Sequence, residues 1–227
     1  SVDCIELLLQ HGANIGAAAN DGRTPLHIAA GDGHLLAVRC LLEKGAQARV
    51  AVEVDRLPLH SACSSGQVHV AGVLLQHHPD TINCTTSQHD NCWTPLHAAT
   101  LSGSVDCIEL LLQHGADIEA TTTDGSTPLC VAADNGELLA VEHMLAKGAR
   151  GTTTSDDGRL PLHYASANGH SECVRMLCKF HPTKINSSTA SNDAKRTALH
   201  LAAESNYCNT VAALLECGAD ANKQMSD

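Results

Sequence analysis

Apolar residues recur along this chain with the spacing of short amphipathic helices. In the segment CIELLLQHGA, Ile108, Leu111 and Leu112 fall at positions i, i + 3 and i + 4, so they share one face of a helix. Gly115 follows them as a helix-ending residue. Elsewhere a Thr-Pro pair precedes small apolar runs such as LHIAAG, and proline at the first helical position sacrifices no hydrogen bond. The pattern predicts pairs of short helices, one rich in alanine and the next rich in leucine.

The predicted helix pairs recur at nearly constant spacing. Variants of the string TPLH follow one another at intervals of 33, 37, 33, 33 and 37 residues. They begin at Thr24, Leu57, Thr94, Thr127, Leu160 and Thr197. The thirteen residues SVDCIELLLQHGA occur twice, at Ser1 and at Ser104, and this offset of 103 residues equals three successive intervals. Such self-similarity indicates a repeat protein, whose stability comes from the interfaces between stacked units.

The repeated strings resemble the ankyrin repeat family. A unit of about 33 residues with T-P-L-H is typical of that family, and the matching strings are DGRTPLHIAAGDGH, NCWTPLHAATLSG, DGSTPLCVAADNGE, DGRLPLHYASANGH, RTALHLAAES, LLQHGADIEA and LLECGADAN. The departures are Cys130 in place of histidine, Ala198 in place of proline, Leu57 and Leu160 in place of threonine, and Asn206 in place of glycine. The resemblance implies an all-α ankyrin repeat solenoid of stacked helix-turn-helix units joined by β-turns.

The period divides the chain into one partial and six further repeats within a single predicted domain, residues 1–227. The partial repeat covers residues 1–20, and the others cover 21–53, 54–90, 91–123, 124–156, 157–193 and 194–227. The sequence begins without methionine and enters directly into a leucine-rich second helix. We therefore expect a segment of a larger intracellular protein, with an imperfectly capped N-terminal end.

Charge is distributed unevenly along the chain. Residues 57–146 contain ten of the 25 acidic residues and none of the 14 lysines and arginines, so they account for nearly all of the net charge of −11. The ten acids are Asp80, Asp90, Asp106, Glu109, Asp117, Glu119, Asp124, Asp134, Glu137 and Glu142. This distribution argues against nucleic-acid binding, which needs a basic face, and favours a partner with positive charge. A solvated acidic face kept for solubility is the alternative.

Catalysis and metal binding find little support in the sequence. It contains no G-x-S-x-G, P-loop, H-E-x-x-H or G-x-G-x-x-G string, so we predict no enzymatic activity and no cofactor. Candidate zinc ligands crowd into one long repeat, at His77, His78, Cys84, His89 and Cys92. The equivalent segment HPTKINSSTASND keeps the same length without any cysteine, so we predict no metal site.

We interpret most of the cysteines and the motif histidines as structural residues. The eleven cysteines fall mostly inside helical patterns, which favours reduced packing residues in a cytoplasmic protein. The resemblance implies that histidines in the fourth place of the T-P-L-H motif, such as His27 and His60, bridge a turn and a helix. There is no apolar stretch of membrane-spanning length in the sequence, so we predict no direct membrane insertion.

The resemblance also implies a binding surface, because ankyrin partners usually lie along the concave side formed by turn tips and first helices. The positions before each T-P-L-H are Arg23, Arg56, Trp93, Ser126, Arg159 and Arg196. Neighbouring tip and first-helix positions are Asp32, Asp90, Asn91, Leu101, Asp124, Asp134 and Asn135. We predict that this surface binds a protein or peptide, with Trp93 and the acids holding a basic segment by charge and cation–π contact.

Four alternatives stay open. The arginines could pair with neighbouring acids for stability, and Trp93 could pack onto its own repeats. The whole segment could serve as a structural tether or spacer in a multidomain protein, or the long exit could support zinc-linked regulation, which metal analysis of the purified protein would test.

Overall fold

The chain forms two compact units, residues 1–117 and 118–227. The computed structural model describes residues 2–49, 56–190 and 195–224. Within these ranges the regular structure consists of thirteen α-helices, three short 3₁₀ helices and one isolated antiparallel bridge between Ser188 and Thr197. The all-α prediction is therefore confirmed. The border between the two units lies inside the predicted repeat 91–123, and the predicted repeat boundaries at 53/54 and 193/194 fall outside the described residues.

The first unit contains seven α-helices in alternating short and longer lengths. They are α1 (Val2–Gln10), α2 (Pro25–Gly31), α3 (Leu35–Glu43), α4 (Pro58–Ser64), α5 (Val68–His77), α6 (Pro95–Leu101) and α7 (Val105–Gln113). Two 3₁₀ helices, Pro79–Thr81 and Gln88–Asp90, lie in the extended exit of the first long repeat. The short helices α2, α4 and α6 pack side by side as a row of first helices, while α1, α3, α5 and α7 form a parallel row of second helices.

The second unit repeats the same arrangement with six α-helices. They are α8 (Pro128–Asn135), α9 (Leu138–Ala146), α10 (Pro161–Ala167), α11 (Ser171–Phe180), α12 (Ala198–Glu204) and α13 (Cys208–Glu216). A 3₁₀ helix, Pro182–Lys184, occupies the exit of the second long repeat. First helices α8, α10 and α12 pack in sequence, and so do second helices α9, α11 and α13.

Each first helix begins as the sequence predicts, with proline or alanine directly after an extended N-cap residue. The hydroxyl oxygens of Thr94, Thr127 and Thr197 accept hydrogen bonds from the backbone N–H three residues later. Leu57 and Leu160 lack that hydroxyl, but their own N–H groups donate to the histidine three residues on. The helix start therefore tolerates leucine at the cap.

The core consists of small aliphatic residues rather than aromatic ones. Ala62, Cys63, Leu96, Ala99 and Ala165 are fully buried on the first helices, and this lets neighbouring helices approach closely. Six of the eleven free cysteines are buried, which agrees with their prediction as packing residues, although Cys4 and Cys208 are exposed. Within the described ranges, every helix is too short or too polar to cross a membrane.

Candidate functional site

In the first unit, each predicted arginine of the turn tips forms an ion pair with a nearby aspartate. Arg23 Nε lies 2.7 Å from Asp21 Oδ2. Hydrogen bonds from the Arg23 backbone N–H and from its guanidinium group lower the pKa of Asp21. Arg56 Nε lies 3.4 Å from Asp90 Oδ2. Both arginine side chains keep roughly half of their surface exposed, at 56% and 43%. The pairs therefore orient the guanidinium groups without burying them.

Three of the predicted site residues in this unit line one cavity. A depression of about 220 Å³ lies between the row of tips and the first helices α2 and α4, and Arg23, Asp32 and Arg56 form part of its wall. Ile28, which is 40% exposed, supplies apolar surface, and Ser61, Ser64 and Ser65 supply hydroxyl groups. The sequence placed the charged residues on one face but gave no sign of the cavity, because its wall combines Gly31 with serines at the end of the next first helix.

Trp93 is half-buried and fixed by its backbone. Its N–H donates to Thr86 Oγ1 at 2.8 Å, and its carbonyl oxygen accepts from the Thr86 N–H at 2.8 Å and from His60 Nε2 at 3.0 Å. Its indole ring lies 5.9 Å from the imidazole of His97 in a tilted arrangement. Trp93 therefore packs onto the first helix of its own repeat while part of its surface stays accessible.

The remaining predicted residues of this unit are exposed, whereas a neighbouring serine is structural. Asn91 is exposed and adopts the left-handed conformation, with φ of 61°, where it ends the 3₁₀ helix Gln88–Asp90. Leu101 is 40% exposed at the end of α6. Ser102, next to it, is structural instead, because its hydroxyl donates to the carbonyl oxygens of Cys63 and Ala99.

In the second unit, polar side chains at two successive tips join into one hydrogen-bonded cluster. Ser126 is only 7% exposed, and its hydroxyl donates to Asp124 Oδ2 at 3.1 Å and lies 3.1 Å from the Tyr164 hydroxyl. The Tyr164 hydroxyl in turn donates to Ser155 Oγ at 3.0 Å. Burial tends to raise the pKa of Asp124, but hydrogen bonds from Thr122 and Ser126 outweigh it and lower that pKa. Asp124 is thus an oriented, charged carboxylate, and Ser126 contributes by holding it.

The arginines of the second unit are also paired. Arg159 Nε lies 3.0 Å from Asp157 Oδ2, and its guanidinium carbon lies 5.8 Å from the centre of the Tyr164 ring. Arg196 Nε lies 3.0 Å from Glu204 Oε1, a residue of α12 rather than of a tip. Tyr164 was not among the residues predicted from the sequence, although it is the one aromatic residue at its place in the first-helix strings.

Asp134 and Asn135 lie exposed at the end of α8. Asp134 Oδ1 accepts a hydrogen bond of 2.7 Å from Asn168 Nδ2, and partial burial raises the pKa of Asp134. Asn135 Nδ2 donates to the Val131 carbonyl oxygen at 2.9 Å. The structure therefore brings exposed carboxylates of this unit to its tips and first-helix ends.

The histidines of the motif bridge turn and helix, as the resemblance implied. In His27, His60 and His163, Nδ1 accepts the N–H of the cap residue three positions earlier, at 3.3, 3.1 and 2.9 Å. The neutral ring then carries its proton on Nε2. That N–H donates to a carbonyl oxygen of the following repeat in His27 and His60, at Arg56 and Trp93, and to the Ser187 carbonyl oxygen in the extended exit of its own repeat in His163. Burial lowers the pKa of all three imidazoles, that of His60 to about 4.

These histidines predict that acid destabilises the protein. Their pKa values are lowered in the folded state, so between pH 6.5 and about 4 the unfolded chain binds more protons, and stability falls as pH falls. For His60 alone the shift corresponds to about 2 kcal/mol lost between pH 7 and 5. Urea unfolding at both pH values measures the loss. The variant His60→Cys should lose less over this interval, and an equal loss in both proteins would contradict the assignment.

No group of three or more potential metal ligands comes together in the part of the chain that the structure describes. Of the five candidate ligands in the long repeat, the side chain of His89 falls outside that part. The Cys84 thiol lies 3.6 Å from the Asp80 carbonyl oxygen, to which it donates. The candidate segment is thus an extended exit that also contacts the next repeat, since the Asn83 side chain donates to the Gly115 carbonyl oxygen and accepts from the Asp117 N–H.

The two units are built from one kind of element, a helix-turn-helix repeat whose tip precedes a short first helix. The family model described as ankyrin repeats (3 copies) matches residues 1–87, 81–155 and 140–225. The chain therefore belongs to the ankyrin repeat family. Its structure is similar to the crystal structure of the human ASB11 ankyrin repeat domain, with a TM-score of 0.81, 25% identity, and coverage of 96% of this chain and 94% of that one. No curated protein matches the chain.

Family membership defines the class of protein. The chain is an ankyrin repeat solenoid, and ankyrin repeats are generally protein-interaction modules whose fold is not an enzymatic one.

Proposed function

We propose that this chain binds a partner protein or peptide through the concave face formed by its turn tips and first helices. The observation that carries the proposal is that the charged tip side chains are exposed yet held in place. Arg23 and Arg159 are held by aspartates at 2.7 and 3.0 Å, and Arg56 pairs more loosely with an aspartate at 3.4 Å. Asp124 is held by Ser126. Side chains that are already ordered lose less conformational entropy when a partner binds, so more of the contact energy remains as affinity.

The residue types at these places also favour recognition. Exposed ion pairs contribute little to folding stability, whereas arginine and tryptophan are enriched among interface residues whose removal costs most affinity. Trp93 offers partly accessible aromatic surface, and oriented carboxylates at Asp124, Asp134 and Asp157 can accept hydrogen bonds from lysine or arginine. We therefore propose that a basic segment of the partner contacts Trp93 and these acids.

The proposed surface comprises all thirteen residues derived from the sequence, with different roles. Most would contact the partner directly, whereas Ser126 would act by orienting Asp124. We further propose an intracellular, cytoplasmic setting, supported by the buried thiols that serve as packing residues, and no catalytic role.

Capture of partners from a cell lysate tests the proposal. The native chain is immobilised beside the double variant Trp93→Ala/Asp124→Lys, and the expected result is a protein retained by the native chain, lost by the variant and weakened by salt. A matched control is Leu139→Ala/Glu142→Lys, which also removes one exposed apolar side chain and reverses one exposed charge, but on the second helix α9. The control should retain the partner. Equal retention by all three proteins would contradict the concave-face proposal and favour the tether alternative.

A further inference from the structure

The cavity between α2 and α4 has a donor arrangement suited to an anionic group. Arg23 Nε donates a hydrogen bond to Asp21 Oδ2 at 2.7 Å, and Arg56 Nε lies 3.4 Å from Asp90 Oδ2 in an ion pair without a hydrogen bond. A guanidinium has five N–H donors in a rigid plane, and the four on the Nη atoms of each arginine make no hydrogen bond among the described residues. Both arginines line the same cavity, so donors converge on it from two repeats.

A histidine side chain holds the backbone of Arg56 against the preceding repeat. His27 Nε2 donates to the Arg56 carbonyl oxygen at 2.9 Å, which ties the first turn of α2 to the residue before the α4 cap. The hydroxyl groups of Ser61 and Ser65 add further donors on the α4 side, and Ile28 provides apolar contact for a short aliphatic stem. A site with directed donors at one end and a small apolar surface beside them matches an acidic side chain.

We propose that this cavity binds the carboxylate of an acidic side chain, presented by a partner peptide that lies on the concave face. The inference rests on the proposed function and deepens it, since it assigns an acidic anchor to the first unit in addition to the basic segment. Bidentate hydrogen bonding between guanidinium and carboxylate provides the recognition. Because Asp21 and Asp90 already share the arginine charge, directed hydrogen bonds contribute more to it than net charge does.

Asp32 distinguishes this ligand from a cationic one. Its exposed carboxylate lines the same cavity and repels an incoming anion, whereas it would attract an ammonium or guanidinium group. The two classes of ligand therefore respond oppositely to Asp32→Asn. That variant should bind an acidic probe more tightly and a cationic probe more weakly.

Gly31 allows the cavity to be filled without changing any charge. A Cβ atom at Gly31 would meet only Ser61 Cβ, at an ordinary contact distance of 3.7 Å, so a larger side chain there extends into the cavity from a helix that accepts it. Gly31→Leu should therefore abolish binding while the charged residues remain.

Nuclear magnetic resonance of the arginine Nε–H groups tests the proposal on the full chain. The probes are N-acetyl-glutamate N′-methylamide, its glutamine equivalent and its lysine equivalent. We expect saturable shifts of the Arg23 and Arg56 signals with the glutamate probe only, at millimolar concentration. Arg56→Gln should weaken this binding about tenfold, the effect of losing a charge-assisted hydrogen bond. Gly31→Leu should abolish it, with backbone amide signals outside the cavity unchanged.

Several outcomes would overturn the proposal: no saturation with the glutamate probe, equal saturation with the glutamine probe, preference for the lysine probe, or binding that survives both Gly31→Leu and Arg56→Gln. None of these outcomes depends on Trp93 or Asp124. If the glutamate probe fails but the native chain captures a partner that the Trp93→Ala/Asp124→Lys variant does not, the concave-face function stands and only the acidic anchor is rejected.

Discussion

Replacing His60 with alanine is expected to lower the free energy of unfolding by about 4 kcal/mol. The imidazole is 1% exposed and makes three hydrogen bonds, to the Leu57 N–H and to the carbonyl oxygens of Cys84 and Trp93. Its removal leaves the Leu57 N–H buried without its acceptor and opens a cavity at the start of α4. The Trp93 carbonyl oxygen keeps the Thr86 N–H as a partner, so the loss there is smaller.

Urea unfolding followed by circular dichroism measures this loss at pH 7. The control is His34→Ala, since His34 is exposed at the start of α3 and its replacement should change stability by less than about 0.5 kcal/mol. A third variant, His60→Cys, should fall between the two, because Cys130 occupies the equivalent motif position in a fully packed environment, 1% exposed. If His60→Ala were no more destabilising than His34→Ala, the bridging role would be wrong.

Replacing Gly158 with alanine is expected to cost about 3 kcal/mol. Gly158 lies at a turn tip with φ of 75°, a left-handed conformation that alanine adopts only with strain. An added Cβ would also come within 2.4 Å of the Ala190 backbone nitrogen, because the segment that leads into the next tip packs directly against it. The Ala190 N–H donates to the Asp157 carbonyl oxygen at 3.0 Å, so the clash would separate two hydrogen-bonded segments.

Gly148 provides a matched control for the conformational part of this cost. It has φ of 93° at the end of α9, yet a Cβ there would meet nothing within 4 Å. Gly148→Ala should therefore lose only the strain of the left-handed conformation, about 1 kcal/mol. Thermal unfolding of both variants gives the difference. Equal losses would mean that the tips do not pack closely.

The repeat pattern predicted the helices because each start signal is local. The extended cap residue, the proline and the histidine lie within four positions. The histidine ring accepts the N–H of the cap residue, so the helix start needs no distant partner. Even the departures follow from local chemistry. Asn206 adopts φ of 59° where the motif has glycine, since asparagine tolerates the left-handed region better than other side chains.

Burial, in contrast, could not be predicted from the local sequence. Helices α1 and α7 have the same nine residues, VDCIELLLQ. In α7, Leu111 is fully buried, whereas its counterpart Leu8 in α1 is 60% exposed. Among the described residues, α1 packs on a single neighbouring second helix and has no first helix of its own repeat. The neighbours decide burial, as expected for stacked repeats.

The candidate surface was predictable as a set of positions but not as a set of interactions. Register alone placed Arg23 and Arg56 at successive tips. Their ion pairs, the serine hydroxyl groups beside them and the cavity they line depend on side-chain directions and on residues from the following repeat. The cluster around Tyr164 likewise joins residues 38 positions apart, and nothing in either local string indicates that contact.

A backbone held in place and side chains that vary at the tips together suit this fold to protein binding. Histidine bridges and tip-to-tip hydrogen bonds hold the backbone, so side chains at the tips can vary without disturbing it. Leu57, Arg159 and Ser126 occupy positions where the motif allows different residues, and the helices that follow still begin at the same place.

Hydrogen–deuterium exchange of the native chain, free and bound to its captured partner, tests binding through the concave face. We expect the partner to slow exchange at tip and first-helix amides, in residues 91–101 and 124–135, and to leave the second helices α7 and α9 unchanged. Slower exchange confined to α7, α9 or the extended exit at residues 78–87 would contradict binding through the concave face.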